Sequence, residues 1–302
     1  MLRIFATVGV ICIHAGIGNF FTWANAVFVM ISGALWLEKE EINLKILYTK
    51  NILRIVTAFV FWSAFYAFFH SVVLPKMTGE YPTGKEMLVM LIQGRYHLWF
   101  CYLIVGIYIG LPFWKKIAEN EMLLRYFLIV AFVFSFLIPC IQNISKLEWT
   151  TAITQIIHWD WAEYVFYFMS GYFLQKHHEM RKNGYALFIY ILGIVSVICI
   201  VYAWGNSTRA LKELSGACLV FVFFINLGDY VSDFRVRRLV EKGSSLCFGV
   251  YLIHDFFLTI IRMTITFDGV GGAVCQVIGT FIASLATVWL IRKVPHIGRH
   301  IT

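Results

Sequence analysis

The sequence predicts an all-α, polytopic membrane protein with ten transmembrane helices and both termini in the cytoplasm. Its composition, its apolar runs and the placement of its basic residues support this fold class. Of the 302 residues, 60% are hydrophobic and 14% are charged. In soluble domains, roughly 45–50% of the residues are apolar and about 25% are charged. A soluble protein of this length needs a polar surface that so few charged residues cannot supply. The lipid bilayer is therefore the predicted solvent of the chain.

Ten apolar runs approach the length that a helix needs to cross about 30 Å of hydrocarbon. The connections between them are too short for a separate soluble domain, so residues 1–302 are predicted to form a single membrane-embedded domain. In chain order, the predicted helices cover residues 2–18, 23–37, 52–74, 97–114, 124–141, 160–175, 184–204, 210–229, 245–266 and 271–292.

The placement of lysine and arginine supports the same number of helices. With the N-terminus inside, 18 of the 25 basic residues fall in cytoplasmic connections, 6 fall in outer connections, and Arg262 lies within the ninth span. Such a bias is typical of cytoplasmic loops. The alternative for the first span is a cleaved signal peptide, because a basic start and an apolar run precede Ala24-Asn25-Ala26. Cleavage would leave nine spans and would place the two termini on opposite sides.

The sequence gives no indication of a nucleic-acid partner or a metal cofactor. The net charge of +8 comes from basic residues in short loops between apolar segments, a pattern that topology explains. All seven cysteines lie in apolar runs without a CxxC pair or metal-ligand spacing, which favours small, buried, hydrophobic side chains. No G-x-S-x-G, Walker or HExxH sequence is present.

The first helix carries two polar residues, Arg3 and His14, in an otherwise apolar run. At about 100° per residue, eleven positions place them within roughly 20° of the same face, about 16 Å apart along the axis. Arg3 is expected at the cytoplasmic surface, with His14 deep in the membrane, where ionisable residues usually mark functional sites. A neutral imidazole there can accept a proton from a hydroxyl group. The alternatives are a topology anchor for Arg3 and a helix-packing role for His14.

The spacing of Arg3 and His14 resembles the Arg-x10-His signature of the acyltransferase-3 family of integral membrane acyltransferases. Residue 51 departs from the family pattern, because Asn51 stands where many members have a second arginine. The family also usually begins some ten residues earlier, often with an acidic residue before the arginine. Other segments similar to family motifs are VFVMISGAL at 27–35, KNILRI at 50–55, HLWFCY at 97–102 with GIY at 106–108 and Pro112, and FGVYLIH at 248–254.

This resemblance implies transfer of an acyl group, commonly acetyl from cytosolic acetyl-CoA, to a hydroxyl of a carbohydrate or other cell-envelope acceptor. It implies a multi-pass protein surrounded by membrane lipid, in the bacterial inner membrane. His14 would act as general base, and a donor group, either Arg3 or Trp99, would stabilise the oxyanion. Arg54 and Lys50 are candidates for the phosphates of coenzyme A, because cations bind phosphate, and Trp99 is a further cofactor contact. The alternative for these cations is a purely topological role.

Three further residues are predicted to bind the acceptor substrate. Glu163 lies among aromatic residues near the outer face, a combination that suits sugar hydroxyls, although an interfacial aromatic belt explains it equally well. His97 begins the fourth helix at its outer end, and an interfacial position is its alternative. His254 lies in the middle of the ninth helix beside Asp255. It either orients the site or pairs with a neighbouring residue.

Two non-catalytic interpretations remain open, one for the two Ser-Gly pairs and one for the whole protein. Ser32-Gly33 and Ser170-Gly171 occur in similar apolar settings, and small residues of this kind favour close helix packing over catalysis. For the whole protein, the alternative function is a transporter or flippase that moves a glycan or acylated molecule without chemistry. Transporters also place polar groups in mid-membrane, but they often contain matched interrupted helices, which this sequence lacks.

Overall fold

The computed structural model of the protein describes residues 1–17, 20–145, 160–177, 209–231, 233–264, 269–295, 298 and 300–302. All regular secondary structure in these residues is helical, as the sequence predicts. In chain order the helices are α1 (Leu2–Cys12), α2 (Ala24–Leu37), α3 (Leu53–Phe68), α4 (Gly84–Gln93), α5 (Trp99–Ile109), α6 (Leu111–Glu119), α7 (Glu121–Phe132), α8 (Ile138–Ser145), α9 (Asp160–Lys176), α10 (Arg209–Tyr230), α11 (Phe234–Thr264) and α12 (Gly269–Ile291).

Shorter helical turns connect or extend several of these helices. Wider π turns follow α1, flank α3 on both sides and follow α7, so that the chain continues as longer helical stretches. The π turns are Ile13–Ile17, Leu47–Ile52, Phe69–Val73 and Val133–Leu137, and the other short turns are Leu44–Ile46, Leu74–Thr78 and the 3₁₀ turn Tyr96–Leu98.

Most of the predicted spans coincide with described helices. The seventh predicted span, 184–204, lies outside the described residues, and the sixth coincides with the 17-residue helix α9. Two shorter apolar helical stretches, Leu2–Ile17 and Ala24–Leu37, match the first two predicted spans. The count of ten and the cytoplasmic location of both termini stay predictions. Six described stretches are long and apolar enough to cross a membrane: Leu44–Lys76, Gly84–Ile109, Glu121–Ile144, Arg209–Gly228, Phe234–Thr264 and Gly269–Ile291.

Helix α4 lies in a segment that the sequence analysis treated as an outer connection. Its start is fixed by a capping box, in which the Glu86 backbone N–H donates to Thr83 Oγ1 at 3.3 Å and the Thr83 backbone N–H donates to Glu86 Oε2 at 2.7 Å. The Thr-x-x-Glu pattern before an apolar run is a signal of a helix start. The sequence therefore contains a signal for α4 that a count of long apolar runs does not detect.

The chain divides into two compact units. We call residues Met1–Ala6, Thr22–Glu41 and Leu111–Arg237 the first unit. We call residues Thr7–Phe21, Ile42–Gly110 and Arg238–Thr302 the second unit. The prediction of a single domain over residues 1–302 stays a prediction.

In the first unit, α2 and α9 cross at the two Ser-Gly pairs singled out in the sequence. A Cβ atom at Gly33 would lie 1.7 Å from the Phe168 carbonyl oxygen, and one at Gly171 would lie 2.0 Å from the Met30 carbonyl oxygen. The two backbones are therefore in direct contact, which only glycine permits. Small residues allow this close approach in membrane helix pairs. The predicted packing role of both pairs is confirmed.

In the second unit, residues 301 and 302 connect α3 to the segment that bonds α11. Trp62 Nε1 donates a hydrogen bond to the Ile301 carbonyl at 2.7 Å, and Thr302 is buried. Arg292 donates to Thr302 Oγ1 at 3.1 Å and to the Ser245 carbonyl at 2.6 Å. These bonds satisfy polar groups among apolar helices, where unpaired ones are costly.

The α2–α9 crossing generates a stability prediction. Gly33→Ala should lower the free energy of unfolding by about 1–3 kcal/mol or more, because the new methyl group overlaps a backbone carbonyl that cannot move alone. Gly106→Ala is the matched control, since a Cβ there meets no described atom within 4 Å. The control should be neutral or more stable by up to about 1 kcal/mol, because alanine is the better helix former. Detergent-solubilised protein is compared by thermal unfolding; equal midpoints for the two variants would contradict the crossing.

Candidate active site

His14 lies in the π turn Ile13–Ile17 that follows α1. Gly16 within this turn has φ of 90°, a left-handed conformation that glycine adopts without steric cost. The regular α-helix therefore ends at Cys12, two residues before His14. The predicted shared face of Arg3 and His14 assumes regular α-helical geometry, which applies only as far as Cys12. The His14 side chain is partly exposed, whereas the adjacent Ala15 is buried.

The second unit brings His14 together with His97 and His254, and we call these three residues the histidine cluster. The ring centroid of His14 lies 5.1 Å from that of His254 and 6.3 Å from that of His97, and the last two rings are 4.9 Å apart. The Tyr96 ring packs against the same cluster, with its centroid 5.0 Å from that of His14. His97 and His254 are 1% and 0% exposed, so His14 is the member of the cluster that outside molecules can reach.

Backbone carbonyls fix the tautomers of the two buried rings. His254 Nδ1 lies 2.6 Å from the Tyr251 carbonyl oxygen, and His97 Nε2 lies 3.3 Å from the Leu252 carbonyl oxygen. A carbonyl can only accept, so each of these nitrogens carries the proton. In the neutral rings, His254 Nε2 and His97 Nδ1 therefore carry lone pairs. Neither atom has a hydrogen-bond partner among the described residues, although both are buried.

Asp255 fixes the turn that carries His97. Its Oδ2 accepts from Arg95 Nε at 2.8 Å, and its Oδ1 accepts from the Tyr96 hydroxyl at 2.7 Å. The Asp255 side chain is 4% exposed and the Arg95 side chain 27%. A carboxylate buried this deeply is stable only when it is paired and hydrogen-bonded. The two bonds therefore hold residues 95 and 96 against α11, and His97 follows directly.

Two buried tyrosines complete the frame around the cluster. The Tyr66 hydroxyl of α3 donates to the Leu252 carbonyl at 2.9 Å and accepts from the Phe256 backbone N–H at 3.3 Å. The Tyr251 hydroxyl donates to the His97 carbonyl. These bonds join α3, α11 and the turn before α5. The histidine cluster is thus held by three parts of the second unit, in addition to the π turn.

Arg54, Lys50 and Trp99, which were predicted to bind the cofactor, also belong to the second unit. Lys50 is exposed in the π turn before α3, and Arg54 is exposed at the start of α3, one helical turn later. The Arg54 guanidinium lies 5.6 Å from the Phe248 ring centroid of α11. Trp99 begins α5 and is 39% exposed. Their roles in binding a cofactor stay predictions.

Arg3 and Glu163 belong to the first unit. Arg3 is partly exposed in the first turn of α1, and its assigned catalytic role stays a prediction. Glu163 of α9 lines a cavity of about 300 Å³ together with Asn143 and Glu213. Arg209 also lines this cavity and donates to Glu213 Oε1 at 2.8 Å. Such a polar cavity suits a ligand with several hydroxyl groups.

Sequence reasoning missed several groups that surround the histidine cluster. Asp255 was noted only as the neighbour of His254, and Arg95 and Arg262 were counted only as charges. Tyr66 and Tyr96 were not considered. An acidic residue within a predicted span was the available signal for Asp255, because such residues are costly and usually paired. Among the described residues, no group of three or more histidine, cysteine or carboxylate side chains is arranged to hold a metal ion.

The all-helical fold, the apolar helices and the buried polar cluster define a multi-pass membrane protein with an internal candidate site. The chain belongs to the acyltransferase-3 family, because the model of that family's acyltransferase domain matches residues 1–293. The family predicted from the sequence motifs is confirmed. Comparisons with curated proteins and with solved structures found no significant match.

The Asp255 ion pair generates a second stability prediction. Arg95→Met should lower the free energy of unfolding by about 3–5 kcal/mol, because it leaves a buried carboxylate without its cation. Asp255→Asn should cost less, since the Arg95 head group can then turn to solvent, and the double variant should recover part of the loss from Arg95→Met. Unfolding in mixed micelles measures all three.

The control for this series is Arg125→Met, which breaks a more exposed ion pair with Glu121. It should change the free energy of unfolding by less than about 1 kcal/mol. If Arg95→Met were no worse than Arg125→Met, the Asp255 carboxylate would not depend on its partner in the way described.

Proposed function

We propose that this protein transfers an acyl group, most simply acetyl, from cytosolic acyl-CoA to a hydroxyl of a carbohydrate or other cell-envelope acceptor. The family membership gives the class of reaction and the membrane setting. The observation that carries the proposal is the histidine cluster, in which one partly exposed imidazole, His14, adjoins two buried imidazoles with fixed tautomers. The family also favours an enzyme over a transporter, so transport is not proposed.

In the proposed reaction, His14 is the general base. One of its ring nitrogens accepts the proton of the acceptor hydroxyl as the oxygen attacks the thioester carbonyl carbon. The tetrahedral intermediate then collapses, the carbon–sulfur bond breaks, and the thiolate of coenzyme A leaves with the bonding electrons. The proton held by His14 passes to this thiolate, which restores the neutral base. Direct transfer of this kind needs no acyl-enzyme intermediate.

The buried rings support this role of His14 through their lone pairs. A base that accepts a proton on one nitrogen carries an N–H group on the other, and an acceptor near that group stabilises the charged ring. His254 Nε2 and His97 Nδ1 have no described donor, so they are available as such acceptors. We propose that His97 and His254, which are 1% and 0% exposed, act on the base. Their predicted contacts with the acceptor substrate stay predictions.

The donor is proposed to bind through the cations at the start of α3. Coenzyme A carries several phosphate charges at one end, and its thioester lies at the end of a long flexible arm. Arg54 and Lys50 are exposed, four residues apart on one helical stretch, so both can face the same phosphate group. Trp99 is proposed as a further contact for the donor. Glu163 is proposed as a contact for the acceptor, which the polar cavity that it lines supports.

The proposal predicts the effect of removing the base. His14→Gln should reduce kcat for acyl transfer by at least about 100-fold, the usual contribution of general base catalysis. Release of coenzyme A thiol from acetyl-CoA in the presence of an acceptor pool measures turnover, and mass spectrometry identifies the acylated product.

The matched control is His177→Gln, a described histidine that pairs with Glu121 in the first unit. It should retain full turnover. Activity of His14→Gln within about threefold of the wild type, with normal membrane insertion, would exclude His14 as the base.

A second prediction concerns the donor phosphates. Arg54→Gln should raise KM for acetyl-CoA by about 10–100-fold, since a charge-assisted bond to phosphate is worth roughly 1.5–3 kcal/mol. Lys50→Gln should give a smaller increase, and kcat should change little in both variants. Steady-state kinetics with acetyl-CoA and with acetyl-dephospho-CoA show which variant loses its sensitivity to the missing phosphate.

Arg125→Gln is the control, because Arg125 is an exposed arginine of the first unit that pairs with Glu121. Its KM should equal that of the wild type. An unchanged KM in both Arg54→Gln and Lys50→Gln would show that these cations only determine topology.

A further inference from the structure

The enrichment of basic residues in cytoplasmic loops does not explain Arg262, because this residue lies within a predicted span. The structure places it in α11 of the second unit, where its Nη2 donates to the His14 carbonyl oxygen at 2.5 Å. Its Nε donates to Gln276 Oε1 of α12 at 3.5 Å, which is a long and weaker contact. The guanidinium therefore bonds the backbone of the residue proposed as the base.

The bond from Arg262 lies at the end of a helix, where a backbone carbonyl needs a donor. The π turn Ile13–Ile17 ends α1, and the left-handed φ of Gly16 interrupts the regular helix two residues after His14. The last carbonyls of a helix lack intrahelical donors and carry partial negative charge. A guanidinium bound there satisfies a carbonyl and complements this charge. The bond is also charge-assisted, and so stronger than a neutral one.

Helix α11 contacts His14 at two points. The His254 ring packs beside the His14 ring at 5.1 Å between centroids, and Arg262 binds the His14 carbonyl. These two residues are eight positions apart on one helix, about 12 Å along its axis. One contact limits movement of the ring and the other limits movement of the backbone. Together they restrict the orientation of the imidazole relative to the buried lone pairs.

We propose that Arg262 is a positioning residue for His14, which it holds by its carbonyl in the π turn so that the imidazole stays against His254 and Tyr96. This inference rests on the proposed function of His14 as the base. It also accounts for the cost of an arginine in an apolar span, since such residues are retained where they pair with specific groups. Gln276 supports the guanidinium from α12 and is secondary.

The kinetic test uses Arg262→Met, which keeps the length and the apolar stem of the side chain. We expect kcat to fall by about 10–100-fold while KM for acetyl-CoA and for the acceptor stays within about threefold, because the base loses its orientation but the substrate contacts remain. Arg262→Lys retains a donor and should recover part of the rate. Added guanidinium ion should partly restore kcat in Arg262→Ala. Arg237→Met is the matched control, since Arg237 lies on the same helix and donates to a different carbonyl, that of Val231.

A second readout does not depend on turnover. Diethyl pyrocarbonate modifies accessible imidazoles, and peptide mass spectrometry gives the rate for His14 in each variant. We expect Arg262→Met to raise this rate by at least about threefold, because the released turn moves the ring away from its packing partners, while Arg237→Met leaves it unchanged.

The outcomes separate this inference from the proposed function. If the wild-type protein shows no acyl transfer, the proposed function fails, and the His14 modification rate alone decides whether Arg262 holds the turn. An increase in KM for acetyl-CoA at unchanged kcat would overturn the inference, because Arg262 would then bind the donor. Unchanged kcat together with an unchanged modification rate would overturn it as well. A loss of kcat without recovery in Arg262→Lys, at an unchanged modification rate, would also exclude the positioning role.

Discussion

The Asp255 carboxylate is the group on which the arrangement of the histidine cluster depends. It is almost fully buried, and each oxygen accepts one hydrogen bond, from Arg95 and from the Tyr96 hydroxyl. A buried carboxylate without partners would be strongly destabilising, so the fold must bring residues 95 and 96 to α11. His97 is next in the chain and His254 precedes Asp255. A single electrostatic requirement therefore places two imidazoles side by side.

Backbone carbonyls of α11 then orient these imidazoles. A carbonyl oxygen has two lone pairs, so it can accept two hydrogen bonds at once. The Leu252 carbonyl accepts bonds from Tyr66 and His97, and the Tyr251 carbonyl accepts one from His254. Every helix carries backbone carbonyls, so these groups are available as acceptors even where the surrounding side chains are apolar. The helix itself thus determines the tautomers of both rings.

The sequence predicted parts of this arrangement but not the arrangement itself. His14 stood out because an ionisable residue within an apolar run is costly, and Gly33 stood out because small residues favour close packing. Both arguments use only the local sequence. The partnership of Arg262 with the His14 backbone joins residues 248 positions apart, and it depends on a π turn that hydrophobic periodicity does not reveal. Asp255 could have been recognised as a group that needs partners, but its partners could not have been named.

The chemistry follows from the way in which protons are distributed among the three rings. His97 and His254 each use their single N–H on a carbonyl, so neither neutral ring has a proton left to donate within the cluster. Both offer only acceptors, and both are buried. His14 alone is partly exposed and can exchange a proton with a bound hydroxyl. The two buried rings therefore offer acceptors but no donors beside His14, while the Arg262 guanidinium binds the His14 carbonyl. This distribution of protons supports the proposal that His14 accepts a proton from a substrate.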